Sequence, residues 1–157
     1  MHSVDQQVLE HLVGWLEQGQ AAWLCTIVAT IGSSPRPVGS LFACNAAGDT
    51  TGSLSGGCVE DDLVERLCQG ALEGTQVLEY GVTAEENERL GLPCGGRLEI
   101  LLEPLVAGHL PQLKELLDAV TERRYITRRV SLADGAVALA QAEGFAALQK
   151  TADSVTL

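Results

Sequence analysis

The chain has 157 residues, 46% of them hydrophobic and only 4% aromatic, and carries a net charge of −11. That length suits one domain of ordinary size, packed chiefly by aliphatic side chains. The acidic balance argues against nucleic acid as the main partner, since phosphate backbones require clustered Lys and Arg, and no apolar run is long enough to cross a bilayer.

The charge is unevenly spread: residues 1–120 hold 17 acids and 5 bases, residues 121–157 hold 4 and 5. An anion bound by the first part must rely on backbone N–H groups, helix N-termini or single arginines such as Arg36. The five cysteines (Cys25, Cys44, Cys58, Cys68, Cys94) are odd in number, and the chain opens without a basic-then-apolar leader. Both features point to a reducing cytoplasm. There is no Cys-x-x-Cys, and His2, His11 and His109 are scattered, which argues against a structural zinc site.

Ser3-Val4-Asp5-Gln6 fits a capping box. Val4, Val8, Leu12 and Trp15, widened by Leu9, Val13 and Leu16, predict a helix with Gly19 as its C-cap. The nearly continuous apolar run Ala22 to Ala29 predicts a central strand covered on both faces, with Cys25 inside it as a small hydrophobe. Ile31 to Val38 is a loop stiffened by two prolines around Arg36. Strands from Ser40 to Cys44 and from Thr50 to Leu54, joined by Asn45-Ala46-Ala47-Gly48-Asp49, predict a hairpin.

A helix is expected from Cys58 to about Glu73, burying Leu63, Val64, Leu67, Cys68, Ala71 and Leu72 and ended by Gly74; Cys44 and Cys68 read as core thiols. Gln76 to Val82 reads as a strand, and Thr83-Ala84-Glu85-Glu86 as the opening of a short helix. Arg97 to Leu105 is a strand with Leu98, Ile100 and Leu102 on one face. Pro111 starts a helix whose inner face carries Leu113, Leu116, Leu117 and Val120. Tyr125 to Leu132 is a strand, with Arg123, Arg124, Arg128 and Arg129 expected on a solvated edge. Residues 144–157 read as linker or tail, leaving one domain over residues 1–143. The alternation predicts an α/β (or α+β) fold, a mixed β-sheet with helices packed on its faces.

Three loops concentrate the chemistry. Ser55-Gly56-Gly57-Cys58-Val59-Glu60 brings a Gly-Gly step and a thiol to a helix N-terminus, where unpaired N–H groups stabilise an anion or thiolate. Glu60, Asp61 and Asp62 in that first turn oppose this, so Cys58 is not strongly activated unless the ligand brings a positive centre such as a metal. Cys94-Gly95-Gly96 enters a strand behind Pro93. Gly32-Ser33-Ser34-Pro35-Arg36-Pro37 places two hydroxyls and a guanidinium fork on a stiff loop. Each loop has a purely structural reading as a tight turn, a bulge or a surface arginine. Neither a Walker A run nor Gly-x-Gly-x-x-Gly is present.

Thr30-Ile31-Gly32-Ser33-Ser34-Pro35-Arg36-Pro37-Val38-Gly39, Gly52-Ser53-Leu54-Ser55-Gly56-Gly57-Cys58-Val59-Glu60 and Gly91-Leu92-Pro93-Cys94-Gly95-Gly96, in this order and spacing, resemble the N-terminal domain of the XdhC/CoxI family. The resemblance implies an accessory protein, a chaperone more than a turnover enzyme, for xanthine dehydrogenase and related molybdenum hydroxylases. Such proteins bind the molybdenum cofactor (molybdopterin, a pterin dithiolene with a phosphate), support its sulfuration and deliver it. The implied contacts are a cysteine desulfurase and the hydroxylase. A homodimer also fits, and neither nucleic acid nor membrane is expected. On this reading Ser33, Ser34, Arg36, Ser55, Gly56, Gly57, Cys58, Glu60, Cys94, Gly95 and Gly96 form the cofactor site, with Cys58 and Cys94 toward the metal. Gly39-Ser40-Leu41-Phe42 departs mildly from the family's pattern, and the family's C-terminal Rossmann-type domain is expected to be absent. Two other readings stand beside this one: a sulfur-transfer or redox enzyme working through Cys58 or Cys94, and a docking domain for the hydroxylase that binds no cofactor.

Overall fold

The computed structural model describes residues 3–31, 38–54, 58–70, 74–80, 97–122, 126–132, 137–141, 149–150 and 154–156. Helix α1 (Ser3–Glu17) leads into strand β1 (Ala22–Ile31). It ends as expected at Gly19, whose φ of 79° only glycine adopts freely. Gln20 N–H reaches the Trp15 carbonyl and Gly19 N–H that of Leu16, the paired bonds of a Schellman ending. The hairpin follows, β2 (Leu41–Asn45) and β3 (Thr50–Gly52). Its turn is tied by the Asn45 side-chain carbonyl, which accepts from the N–H groups of Ala47 and Asp49 at 3.0 Å each.

Then come α2 (Cys58–Cys68), β4 (Gln76–Tyr80), β5 (Arg97–Leu105), a 3-10 turn (Ala107–His109) and α3 (Leu110–Thr121). The remaining strands are β6 (Ile126–Ser131), β7 (Val137–Gln141), β8 (Gln149–Lys150) and β9 (Ser154–Thr156).

Two sheets result, ordered β3-β2-β1-β5-β4 and β7-β6-β9-β8, and every described pair is antiparallel. The expected layering of helices on a sheet holds. β1 is central, and alternation sends its side chains to two cores. Cys25 and Ile27 join Phe42, Cys44, Leu78, Tyr80, Leu98, Ile100 and Leu102 beneath Val59, Leu63 and Leu67 of α2. Ala22 and Leu24 join Leu41, Ala43 and Leu105 beneath α1 and α3. Farther along the second face, Val28 and Leu101 meet Val130 of β6.

Several expectations are corrected. α2 stops at Cys68, short of Glu73, because Gly70 takes a φ of 72° and returns its N–H to the Leu67 carbonyl. Cys68 is therefore exposed at the helix end, whereas Cys25 and Cys44 are buried. The hairpin's second strand ends at Gly52, and Leu54 leaves the sheet to pack in the core under α2. β6 lies between β7 and β9 and is no edge. Arg128 is buried there, its two terminal nitrogens donating to the two Glu103 carboxylate oxygens, one bond at 2.8 Å; Arg129 remains exposed. Where a linker or tail was expected over 144–157, β8 and β9 pair with each other and β9 with β6. Two strands this short carry too few residues to be found by periodicity. The short helix expected after Thr83 lies outside the described residues, as do Arg123 and Arg124.

At Gly52, φ is +87° and a Cβ would stand 2.4 Å from the Leu41 carbonyl oxygen and 2.7 Å from a Val8 methyl. Gly52→Ala is expected to lower unfolding free energy by about 2–4 kcal/mol in urea titrations, combining left-handed strain with a backbone clash. Burial raises the Glu103 pKa, with Arg128 and then His109 pulling it back. Arg128→Met strands that carboxylate and is expected to cost about 3–5 kcal/mol at neutral pH. Adding Glu103→Leu should restore most of the loss. In the single variant the native carboxyl takes its proton at a higher pH than the unfolded one. That variant should therefore gain relative stability as pH falls from the raised pKa to the ordinary carboxylate range, which urea midpoints across pH measure.

Candidate functional site

β1 and β5 pair from Ala22↔Leu105 to Ile31↔Arg97, and β4 pairs with β5 as far as Tyr80↔Leu98. Residues 32–37 therefore follow, and residues 81–96 precede, two strand ends that are direct register partners, about 4.8 Å apart. β2 begins opposite Thr26, so the last residues of β1 run on beside β5 alone. A bulge between Ile27 and Ala29 turns that projecting end, a device that re-aims strand termini at sites.

Residues 55–57 lie between Leu54 and the start of α2, and Leu54 and Val59 are both fully buried in the cluster that holds Ile27, Leu98 and Tyr80. The described residues flanking all three motif loops are thus tied to one half of the sheet. Ser33, Ser34, Arg36, Ser55, Gly56, Gly57, Cys94, Gly95 and Gly96 themselves lie outside the described residues; Cys58 is the first residue of α2.

Glu60 is the one candidate whose side chain is described. It is 8% exposed, and the Ser53 hydroxyl donates to its Oε2 at 3.4 Å. Its place in the first turn of α2 matches the charge to the positive end of the helix. An anionic ligand arriving at this N-terminus therefore meets a carboxylate already there. Among the described residues, no three His, Cys, Asp or Glu side chains group as a metal site.

Sequence reading missed a polar cluster nearby. The buried Tyr80 hydroxyl donates to Asp62 Oδ2 at 2.8 Å and accepts from Arg66 Nη1 at 3.1 Å. Asp62 and Arg66 also pair at 3.8 Å, one turn apart on α2. Burial, then the bond to Asp62, raises the Tyr80 pKa and keeps the phenol protonated. The i,i+4 spacing of Asp62 and Arg66 was the signal available.

The described thiols differ sharply. Burial pushes the Cys25 pKa well up, with smaller contributions from Cys44, Glu103 and Glu60. Burial, with Cys68 adding to it, pushes Cys44 up to about 12. Because the thiolate is the nucleophile, brief iodoacetamide treatment of the native protein should label Cys68 and spare Cys25 and Cys44 until denaturant is added, as read by peptide mass spectrometry.

Residues 15–81 match the model of the XdhC and CoxI family, a span that contains two of the three motifs and stops before Cys94. A protein of Bacillus subtilis (strain 168) described as a probable xanthine dehydrogenase component is 26% identical over 120 residues, covering 74% of this chain and 36% of that protein. The crystal structure of a xanthine dehydrogenase from Bacillus halodurans superposes with a TM-score of 0.68 at 27% identity, over 88% of this chain and 43% of that one. The chain thus spans well under half the length of both relatives. Over residues 15–81 the chain is thus similar to the XdhC and CoxI family, and over most of its length it shares the fold of the Bacillus halodurans protein.

Proposed function

We propose that this protein binds the molybdenum cofactor as cargo in the cytoplasm. It assists the sulfuration of that cargo and its insertion into xanthine dehydrogenase or a related molybdenum hydroxylase, working with a cysteine desulfurase. The observation that carries this reading is the register pairing of Ile31 with Arg97, together with the burial of Leu54 and Val59 in one cluster under α2. These tie described residues beside each of the three motif loops (Ile31, Leu54 with Val59, and Arg97) to one region. The family match and the names of the two relatives point to the same client.

The parts of the cargo divide among residues by chemistry. Arg36 offers a planar fork to the phosphate. That role falls to Arg36 more than to α2, whose first turn holds Glu60 and Asp61. The hydroxyls of Ser33, Ser34 and Ser55 and the bare backbone at Gly56, Gly57, Gly95 and Gly96 suit the flat, polar pterin. Cys58 and Cys94 offer sulfur to a thiophilic metal, whose charge offsets the carboxylates of α2. The protein's part is to hold and present; the sulfur exchanged onto the metal comes from the desulfurase.

Protein purified from a cofactor-producing host should release a fluorescent oxidised pterin on denaturation in iodine. Arg36→Ala and Cys58→Ala should each cut that yield about tenfold, the equivalent of one lost charge-assisted contact. Undiminished pterin in both variants overturns the assignment of the site. Wild-type protein that captures apo-hydroxylase while carrying no pterin overturns cofactor binding in favour of docking alone.

A further inference from the structure

We infer that the second sheet, β6 to β9, is a clasp: it opens as a unit while the five-stranded sheet stays folded, and when shut it pins the bulge at which β1 turns. The clasp follows from packing alone and is independent of the cofactor site proposed above.

Val28 is the extra residue of that bulge, since Ile27 stands opposite Ile100 and Ala29 opposite Glu99. A bulged residue is left out of the ladder, so hydrogen bonds to the neighbouring strand do not fix it. Packing does. Val28 is buried with Leu101 of β5 and Val130 of β6. Arg128, Val130 and Leu132 alternate along β6 toward the five-stranded sheet, whereas Arg129 is exposed. The direction taken by residues 29–31 therefore depends on where β6 sits.

The seam that keeps β6 there is weak. Among the described residues it holds three buried aliphatic side chains, against thirteen buried residues in each of the other two clusters, so apolar burial favours closure only modestly. Its polar groups favour opening. Desolvation of Glu103 and Arg128 offsets most of their attraction. Thr26 is 1% exposed and stands opposite Leu101, and its hydroxyl has no hydrogen-bond partner among the described residues. A buried hydroxyl left unpaired is destabilising, and water relieves it once the seam parts. β7 also touches α3. All four strands of the clasp follow α3 in the chain, so it can part without threading. Contiguous units of this kind open below the free energy of global unfolding.

Amide hydrogen exchange of the full chain, resolved by NMR across sub-denaturing urea, tests this. β6, β7 and β9 should exchange together, through an opening with weaker urea dependence than that of residues 22–27, and residues 29–31 should follow them. Thr26→Val removes the unpaired hydroxyl and should slow that shared exchange about tenfold. Val130→Ala uncovers Val28 and should speed it about tenfold. Leu63→Val, in the core on the opposite face, should speed exchange of residues 22–27 and leave the shared exchange unchanged. If Val130→Ala folds poorly, Thr26→Val carries the comparison. One rate and one urea dependence for β6, β7, β9 and residues 22–27 overturns the clasp, as does fast exchange confined to β9, the mark of a fraying end. Residues 29–31 unmoved by both seam variants overturn the pinning of the bulge.

Discussion

The pairing of β1 with β5 is the constraint on which the other parts depend. It runs from Ala22↔Leu105 to Ile31↔Arg97, the longest pairing among the described strands, and both strands bury aliphatic side chains on both faces. Fully burying each Leu, Ile or Val contributes about 1.5–3 kcal/mol, so a slip of one residue, which exchanges the two faces, is strongly disfavoured. Register is thereby set, and with it the level at which each loop leaves the sheet. Pro104 fits because β4 begins opposite Leu102, so no second neighbour asks for the missing N–H. The bulge between Ile27 and Ala29 is a local exception that redirects only the projecting end.

On this frame the apolar cores supply most of the stabilisation and two buried polar contacts supply direction. The Glu103–Arg128 pair joins the five-stranded sheet to β6 of the second sheet across a small cluster of Val28, Leu101 and Val130. A fork matched to a carboxylate has one good geometry, whereas three aliphatic side chains have many. The Tyr80 cluster does the same for α2 on the opposite face. Removing one partner of the buried pair costs far more than the pair itself contributes, because the remaining charge stays in a medium that cannot solvate it. These contacts specify arrangement more than they add stability.

How much of this was legible in the sequence follows from the range of the forces involved. β1, β5 and the hairpin were readable because their patterns are local: an unbroken apolar run, an alternation of Leu98, Ile100 and Leu102, and a turn opened by Asn45 and closed by Gly48-Asp49. The end of α2 was misread because Gly70 and Gly74 are equally good stops on paper, and only the tertiary fit selects the first. Arg128 was misread because its partner is 25 residues away on another sheet, a separation that no window of periodicity spans. The strands β8 and β9, two and three residues long, carry too few side chains to show a period. Of the candidate site, the Gly-Gly-Cys and Cys-Gly-Gly steps and the family resemblance were visible directly. That the strand ends flanking the Pro-Arg loop and the Cys-Gly-Gly step are partners emerges only from the register of β1 with β5.

Charge imposes a last condition on any anionic cargo. Residues 1–120 carry an excess of twelve acids, and the first turn of α2 holds Glu60 and Asp61. A helix N-terminus carries roughly half a positive charge, which those carboxylates already more than offset, so the backbone of α2 alone is a poor phosphate trap. Glu60 is nonetheless buried rather than turned to water, accepting from Ser53 beside the loop. A cluster built this way disfavours free phosphate and favours a ligand that brings a cation with its anions. The cofactor proposed above, a metal-bearing pterin, would meet that condition. On that proposal, the acidic first turn of α2 works against simple anions that bring no cation of their own.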